Sequence, residues 1–221
     1  MRGVFVTGTG TGVGKTVAAA VIARGLADAG RRVNVFKPAL SGLDDPGEPD
    51  HLLLRRAAQS GQAEDEVAPY RFGPPLSPHL AAELAGAEVE PGRVMEAAES
   101  AAAEATLVCE GVGGLLVPLT RGWLVRDFAR ELGLPLVVVA APALGTINHT
   151  LLTLEAARGA GLEVAAVVLN PWPARAGRLE LDNERTVREL GGVDVERLPN
   201  VDLADPSGWP TLPAAMGAAG A

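Results

Sequence analysis

The chain has 221 residues, 48% apolar and 4% aromatic, so one compact domain is expected with a core of Val, Leu and Ala rather than rings. A formal net charge of −8 with no basic run argues against a nucleic-acid partner, and the longest apolar run, residues 134–144, is broken by Pro135 and Pro142 and too short to span a bilayer. A first strand within a few residues of Met1 leaves no signal peptide, and the single Cys109 allows no internal disulfide, so a cytoplasmic protein without a membrane partner is expected.

Short Val-rich runs alternate with Ala/Leu-rich amphipathic stretches, which is an α/β pattern. Residues 3–7 predict a strand and residues 15–29 its helix, stopped by Gly30. Residues 32–36 predict a second strand ending at Lys37-Pro38, and residues 39–49 a Gly/Pro/Asp loop. A helix over 50–60 has Asp50 as candidate N-cap. Residues 68–78 read as an irregular Pro-rich loop, followed by helices over 78–84 and 91–105. Residues 106–110 form a buried strand running into Gly111-Val112-Gly113-Gly114. Then come a helix over 125–132, a strand over 136–140, a helix over 146–159 and a strand over 163–169. A helix over 179–190 and a short strand over 195–198 follow, and the Pro/Gly/Ala-rich segment 206–221 reads as a loose tail.

Residues 4–16 read V-F-V-T-G-T-G-T-G-V-G-K-T. A strand, a glycine-rich turn and a helix opening at Gly-Lys-Thr make a phosphate cradle: backbone N–H groups from Gly12, Val13, Gly14, Lys15, Thr16 and Val17 can approach phosphate oxygens, aided by the helix N-terminus. Lys15 can reach the outer phosphates and the Thr16 hydroxyl can ligate Mg²⁺. The loop departs from G-x-x-x-x-G-K-[ST], since Thr9 stands where the first Gly belongs and five residues separate Gly8 from Gly14. In a parallel sheet the loops at the carboxyl ends of the strands share one edge, which gathers residues 9–16, 37–41, 110–114, 141–149 and 170–173. Glu110 ends an apolar strand, where a carboxylate is costly unless paired or metal-bound. Cys109 beside it reads as a small core residue.

Five peptides in order resemble the dethiobiotin synthetase family: G-T-G-T-G-V-G-K-T at 8–16, K-P-A-L-S-G at 37–42, S-P-H at 77–79, C-E-G-V-G-G-L-L-V-P-L at 109–119 and L-G-T-I-N-H-T at 144–150. The five-residue spacing of the phosphate loop is itself typical of that family. The resemblance implies a single-domain P-loop NTPase fold over residues 1–221, with a mainly parallel central sheet of about seven strands and helices on both faces. It implies an ATP- and Mg²⁺-dependent ligase that joins CO₂ and 7,8-diaminopelargonic acid into a cyclic urea, through a carbamate and a carbamic-phosphoric anhydride.

Residue roles follow from the same resemblance. Lys15 and Lys37 would converge on the transferring phosphoryl group, with Thr11 and Ser41 hydrogen-bonding the reacting groups. Thr16, Asp50 and Glu110 would ligate Mg²⁺; Asp44 and Asp45 are rivals of Asp50, whose other reading is the helix cap. Ser41, Gly113, Gly145, Thr146 and Asn148 would hold the substrate, the last three gripping its carboxylate across a two-fold interface, so a homodimer with composite sites is expected. Asn170, Leu198 and Pro199 would contact the base. His149 reads as structural or interfacial. The chain departs from the family at Gly12, where some members carry Glu, and at Val112, where Ala is usual. An alternative is a partition or site-positioning switch ATPase, but those carry an extra Lys early in the loop, and Thr9, Gly10 and Thr11 supply none. A cobyrinate-type amide ligase would need a glutaminase portion with a nucleophilic Cys, for which no length remains.

Overall fold

The computed structural model describes residues 1–220. Strand β1 (Gly3–Gly8) feeds helix α1 (Lys15–Asp28), and β2 (Val33–Phe36) follows. Four helices come next: α2 (Asp50–Ala57), α3 (Glu64–Val67), α4 (Pro78–Leu84) and α5 (Pro91–Ala102). After β3 (Thr106–Glu110), strands β4 (Pro118–Thr120) and β5 (Trp123–Leu124) make a small antiparallel hairpin that leads into α6 (Val125–Leu132). The chain then runs through β6 (Leu136–Ala140), α7 (Thr146–Gly159), β7 (Val164–Trp172), α8 (Arg178–Gly191) and β8 (Asp194–Pro199). It ends with a 3₁₀ turn (Pro206–Gly208) and α9 (Pro213–Ala218).

The central sheet has order β2-β3-β1-β6-β7-β8, and every neighbouring pair is parallel. It holds six strands rather than about seven, because the remaining two pair only with each other. Strands β1, β3 and β6 are buried throughout, which is why they read as nearly continuous apolar runs, whereas edge strand β8 buries only Val195 and Leu198. Successive residues still alternate: Val137 and Val139 pack with α1, α2 and α9, whereas Leu136, Val138 and Ala140 face the opposite layer. There a cluster of Phe5, Phe36, Trp123 and Phe128 meets α4, α5 and α6, and a further cluster lies under α7 and α8. Helix α1 is buried from Ala18 through Ala23, so alanines let it lie close to the sheet.

Within the segment expected as a loose tail, residues 212–219 instead pack on the core, and residue 221 lies outside the described residues. Leu212, Ala215 and Ala219 are buried against the α1 layer, and Glu196 accepts from the Ala214 and Ala215 N–H groups at the start of α9. Strand β7 runs three residues past its expected end, through Trp172, and contains a cis peptide bond at Asn170–Pro171. Among the described residues no helix is long and apolar enough to cross a membrane.

Candidate active site

The turn between β1 and α1 wraps a cavity of about 410 Å³ at the carboxyl edge of the sheet. Its walls include Thr11, Gly12, Gly14, Lys15, Thr16 and Val17 from the turn, Lys37 and Ser41 after β2, Asp50 on α2, and Glu110 to Gly113 after β3 in part. Gly14 caps α1 with φ 88°, and a Cβ there would lie 1.9 Å from Nδ2 of Asn170. Both facts require glycine, and they explain how the backbone of the turn can present its N–H groups to a ligand.

Two lysines are drawn into this cavity. Nζ of Lys15 donates to the Gly10 carbonyl at 2.9 Å, folding back over its own turn. Lys37 is 3% exposed, and its Nζ donates to Asp50 Oδ2 at 2.6 Å and to Glu110 Oε1 at 2.8 Å. The Thr16 hydroxyl donates to the same Glu110 oxygen at 2.9 Å. The other oxygen of Glu110, Oε2, is buried with no hydrogen-bond partner.

The electrostatics follow from burial and charge. Desolvation disfavours the Lys37 ammonium, but Glu110 and Asp50 together outweigh it and hold its pKa above the ordinary value. Desolvation lowers that of Lys15, with Glu110 opposing and Lys37 adding to the fall. Burial likewise raises Asp50, yet Lys37 overcomes it and the net direction is down. Glu110 goes up, because burial and the nearby Asp50 exceed what Lys37 and Lys15 return. The site is therefore a compact set of charges, two cationic and two acidic, with one carboxylate oxygen left over.

Of the three rival aspartates, only Asp50 lines this cavity; Asp44 and Asp45 are exposed on the preceding loop. Asp50 is not the helix cap. Pro49 occupies that position, and the Asp50 carboxylate turns to Lys37 instead. Thr16, Asp50 and Glu110 offer three hard oxygen donors, and the unpartnered Oε2 of Glu110 suits a divalent cation of the Mg²⁺ kind.

A second cavity of about 480 Å³ adjoins the first, sharing Thr11, Ser41, Asp50 and Gly113. Leu40, Pro75, Leu76, Val112 and Val117 give it apolar walls. Gly113 stands at φ 60°, and a Cβ there would meet Val117 Cγ2 at 2.8 Å. Val112 lines both cavities.

Other expected residues lie further out. Gly145, Thr146 and Asn148 open α7 but line neither cavity; Thr146 is buried, while Gly145 and Asn148 are exposed. His149 lines a third cavity of about 470 Å³ with the outer side of the phosphate turn, Leu116 and Leu152. Asn170 is buried, and its Nδ2 donates to the Val13 carbonyl at 3.1 Å, so it braces the phosphate turn from β7. Leu198 is wholly buried in the core, so of this pair only Pro199 is exposed to a ligand. Sequence reasoning missed Glu48 and Leu203 in the wall. Arg56 joins them, pairing with both Glu48 oxygens and donating to the Leu203 carbonyl at 3.0 Å. No local sequence pattern around Arg56 points to that bridge, which joins residues 147 apart.

A family model described as an AAA domain matches residues 2–208. A protein of Anaeromyxobacter dehalogenans named ATP-dependent dethiobiotin synthetase BioD is 52% identical over 172 residues, 77% of this chain and 77% of that protein. A Bacillus subtilis protein of the same name is 37% identical over 203 residues, 88% and 85% of the two chains. Among solved structures, a ParA family ATPase from Chlorobium tepidum superposes with TM-score 0.58 at 13% identity, covering 99% of this chain and 97% of that one. The septum site-determining protein MinD from Pyrococcus horikoshii, complexed with Mg-ADP, gives 0.56 at 14% identity, with 99% and 92% covered. At such identities these two likenesses speak for a P-loop NTPase fold alone. Identity of 37% to 52% over most of both chains says more: this chain belongs to the family of ATP-dependent dethiobiotin synthetases, ligases that form C–N bonds.

Proposed function

We propose that the chain carboxylates 7,8-diaminopelargonic acid and closes it to dethiobiotin at the two adjoining cavities, with ATP as co-substrate. One substrate amine adds to CO₂ and loses a proton, giving a carbamate. A carbamate oxygen attacks the γ-phosphorus, the bond to the β-phosphate oxygen breaks, and ADP leaves. The second amine attacks the carbonyl of the mixed anhydride, expels phosphate and releases a proton, which closes the five-membered urea. Phosphoryl transfer of this kind needs positioning and charge compensation more than covalent help.

The observation that carries this reading is the buried Lys37, facing the same cavity as Lys15. A generic nucleotide binder has use for Lys15 alone. A second ammonium beside the phosphate turn suits a reaction with a second anion, the carbamate, to hold against the γ-phosphate. Thr11 and Ser41 stand where the two cavities meet and can hydrogen-bond the reacting nitrogen and oxygen atoms. The apolar walls of the second cavity suit an aliphatic chain. Thr16, Asp50 and Glu110 would hold Mg²⁺, which when bound would neutralise charge on the phosphate oxygens. Asn170 spends its N–H on Val13 and leaves Oδ1 as an acceptor, which favours a base with an amino edge such as adenine.

The reading extends to a homodimer in the cytoplasm. Leu144, Leu152 and Leu116 are exposed beside the start of α7 and the third cavity, apolar surface that a second copy would cover. Such packing would bring Gly145, Thr146 and Asn148 to the substrate's carboxylate. Release of ADP from Mg²⁺–ATP tests the chemistry. It is expected to need both bicarbonate and the diamine; equal release without either would overturn the assignment.

A further inference from the structure

The two carboxylates assigned above to a divalent cation already hold a monovalent one. Lys37 Nζ contacts Asp50 Oδ2 at 2.6 Å and Glu110 Oε1 at 2.8 Å, and Thr16 Oγ1 meets that same Oε1 at 2.9 Å. The Lys37 and Glu110 side chains are 4% and 1% exposed, so water cannot substitute for either partner. Lys15 is engaged in the same way, on a carbonyl of its own turn.

We propose that Lys37 is the resident counter-ion of the divalent-cation site and yields it only when nucleotide phosphates offer its ammonium new oxygens. The proposal rests on Thr16, Asp50 and Glu110 being the metal ligands. A divalent cation on either oxygen of the Glu110 carboxylate, the free Oε2 included, would sit beside the ammonium held on Oε1, where like charges repel strongly at low dielectric. Nor can the ammonium simply retreat, since a buried charge stripped of its partner is expensive. Lys37 and the phosphate turn line one cavity, so a triphosphate placed there gives the lysine anionic oxygens without taking it into the apolar core. Releasing Asp50 and Glu110 then opens the site to the metal. The two events become thermodynamically coupled, and each ligand must strengthen the other's binding by the same factor. The free oxygen Oε2 marks capacity at the site that the lysine does not use.

Mn²⁺ binding, followed by the electron paramagnetic resonance of the free ion, tests this without any turnover. The wild type is expected to bind Mn²⁺ weakly alone and tightly with adenylyl imidodiphosphate. Lys37→Met removes the competing charge and is expected to bind Mn²⁺ alone about tenfold or more tighter than the wild type, the scale of a neighbouring charge's effect. Lys37→Gln keeps amide donors near both carboxylates and guards against misfolding; it is expected to show the same gain. Equal or weaker Mn²⁺ binding in both variants, with Mn²⁺–nucleotide binding by the wild type intact, would overturn the counter-ion role while leaving the metal ligands standing. Undiminished Mn²⁺–nucleotide binding by Glu110→Gln would remove the ligand set and this proposal together.

Discussion

The roles proposed for Lys37 and Glu110 join chemistry to the stability of a buried ion pair, and the two can be separated by substitution. Removing one partner of a buried ion pair leaves the other uncompensated, at about 3–5 kcal/mol. Lys37→Ala should therefore lower unfolding stability by that order, and Lys37→Ala combined with Glu110→Gln should recover part of it, both read by urea denaturation. Lys15→Ala leaves Glu110 paired and is expected to fold. Each lysine variant should lose about 10²–10³-fold in kcat, the scale of losing one electrostatic contact to a transition state. Normal turnover in either would end that residue's proposed role. At this scale the sequence was informative about residue type and weak about partners. The Gly-Lys-Thr ending pointed to Lys15 and Thr16, because a phosphate turn has few solutions. Asp50 was preferred to Asp44 and Asp45, and to a capping role, on the family resemblance alone, because the physical ground for the choice, the direction of Lys37, is not written in the local sequence. Asn170 was read as a base contact, and its bond to the Val13 carbonyl joins residues 157 apart, a separation that no local pattern reports.

Elements with a strong pattern were legible from the sequence. The bounds of α4, β3, α6, β6 and α7 match the expected ones because Pro, Gly or a change of period marks each end. The short β4–β5 hairpin, α3 and α9 went unread, since each is stabilised by the surface it packs on rather than by its own periodicity. The same is true of the contact that ties α8 to β8. Glu184 is 8% exposed in its side chain and bonds Arg188 at 3.0 Å and Arg197 at 2.5 Å; the Arg197 guanidinium also lies 4.6 Å above the Trp172 ring. Burial alone would raise the Glu184 pKa, but the hydrogen bonds and charges of Arg197 and Arg188 win, and the net shift is below the ordinary 4.5. With the folded value depressed, the unfolded chain binds more protons in that window, so stability rises with pH there. The stabilisation is present above 4.5 and is lost as pH falls through the folded value. Glu184→Gln should cost about 1–2 kcal/mol at pH 7 and flatten the acid-side decline in urea-unfolding stability. Parallel pH profiles for variant and wild type would contradict this.

For the whole molecule, the alternation of Val-rich and Ala/Leu-rich segments was enough for the α/β class, and the parallel order puts the phosphate turn, Lys37, Asp50 and Glu110 on one sheet edge. The sheet has six strands because the hairpin after β3 stays outside it. Neither the cavity pair nor the Arg56 bridge to Leu203 was legible, since both bring together segments far apart in sequence. Under the proposed function, one chemical path runs from CO₂ to a cyclic urea at this edge. Feeding ¹³C-bicarbonate with diaminopelargonic acid and Mg²⁺–ATP, and reading the product by ¹³C NMR, tests it most directly. Label is expected in the ring carbonyl of dethiobiotin, with one ADP formed per ring closed. ADP formed at full rate with no labelled urea carbonyl would contradict it.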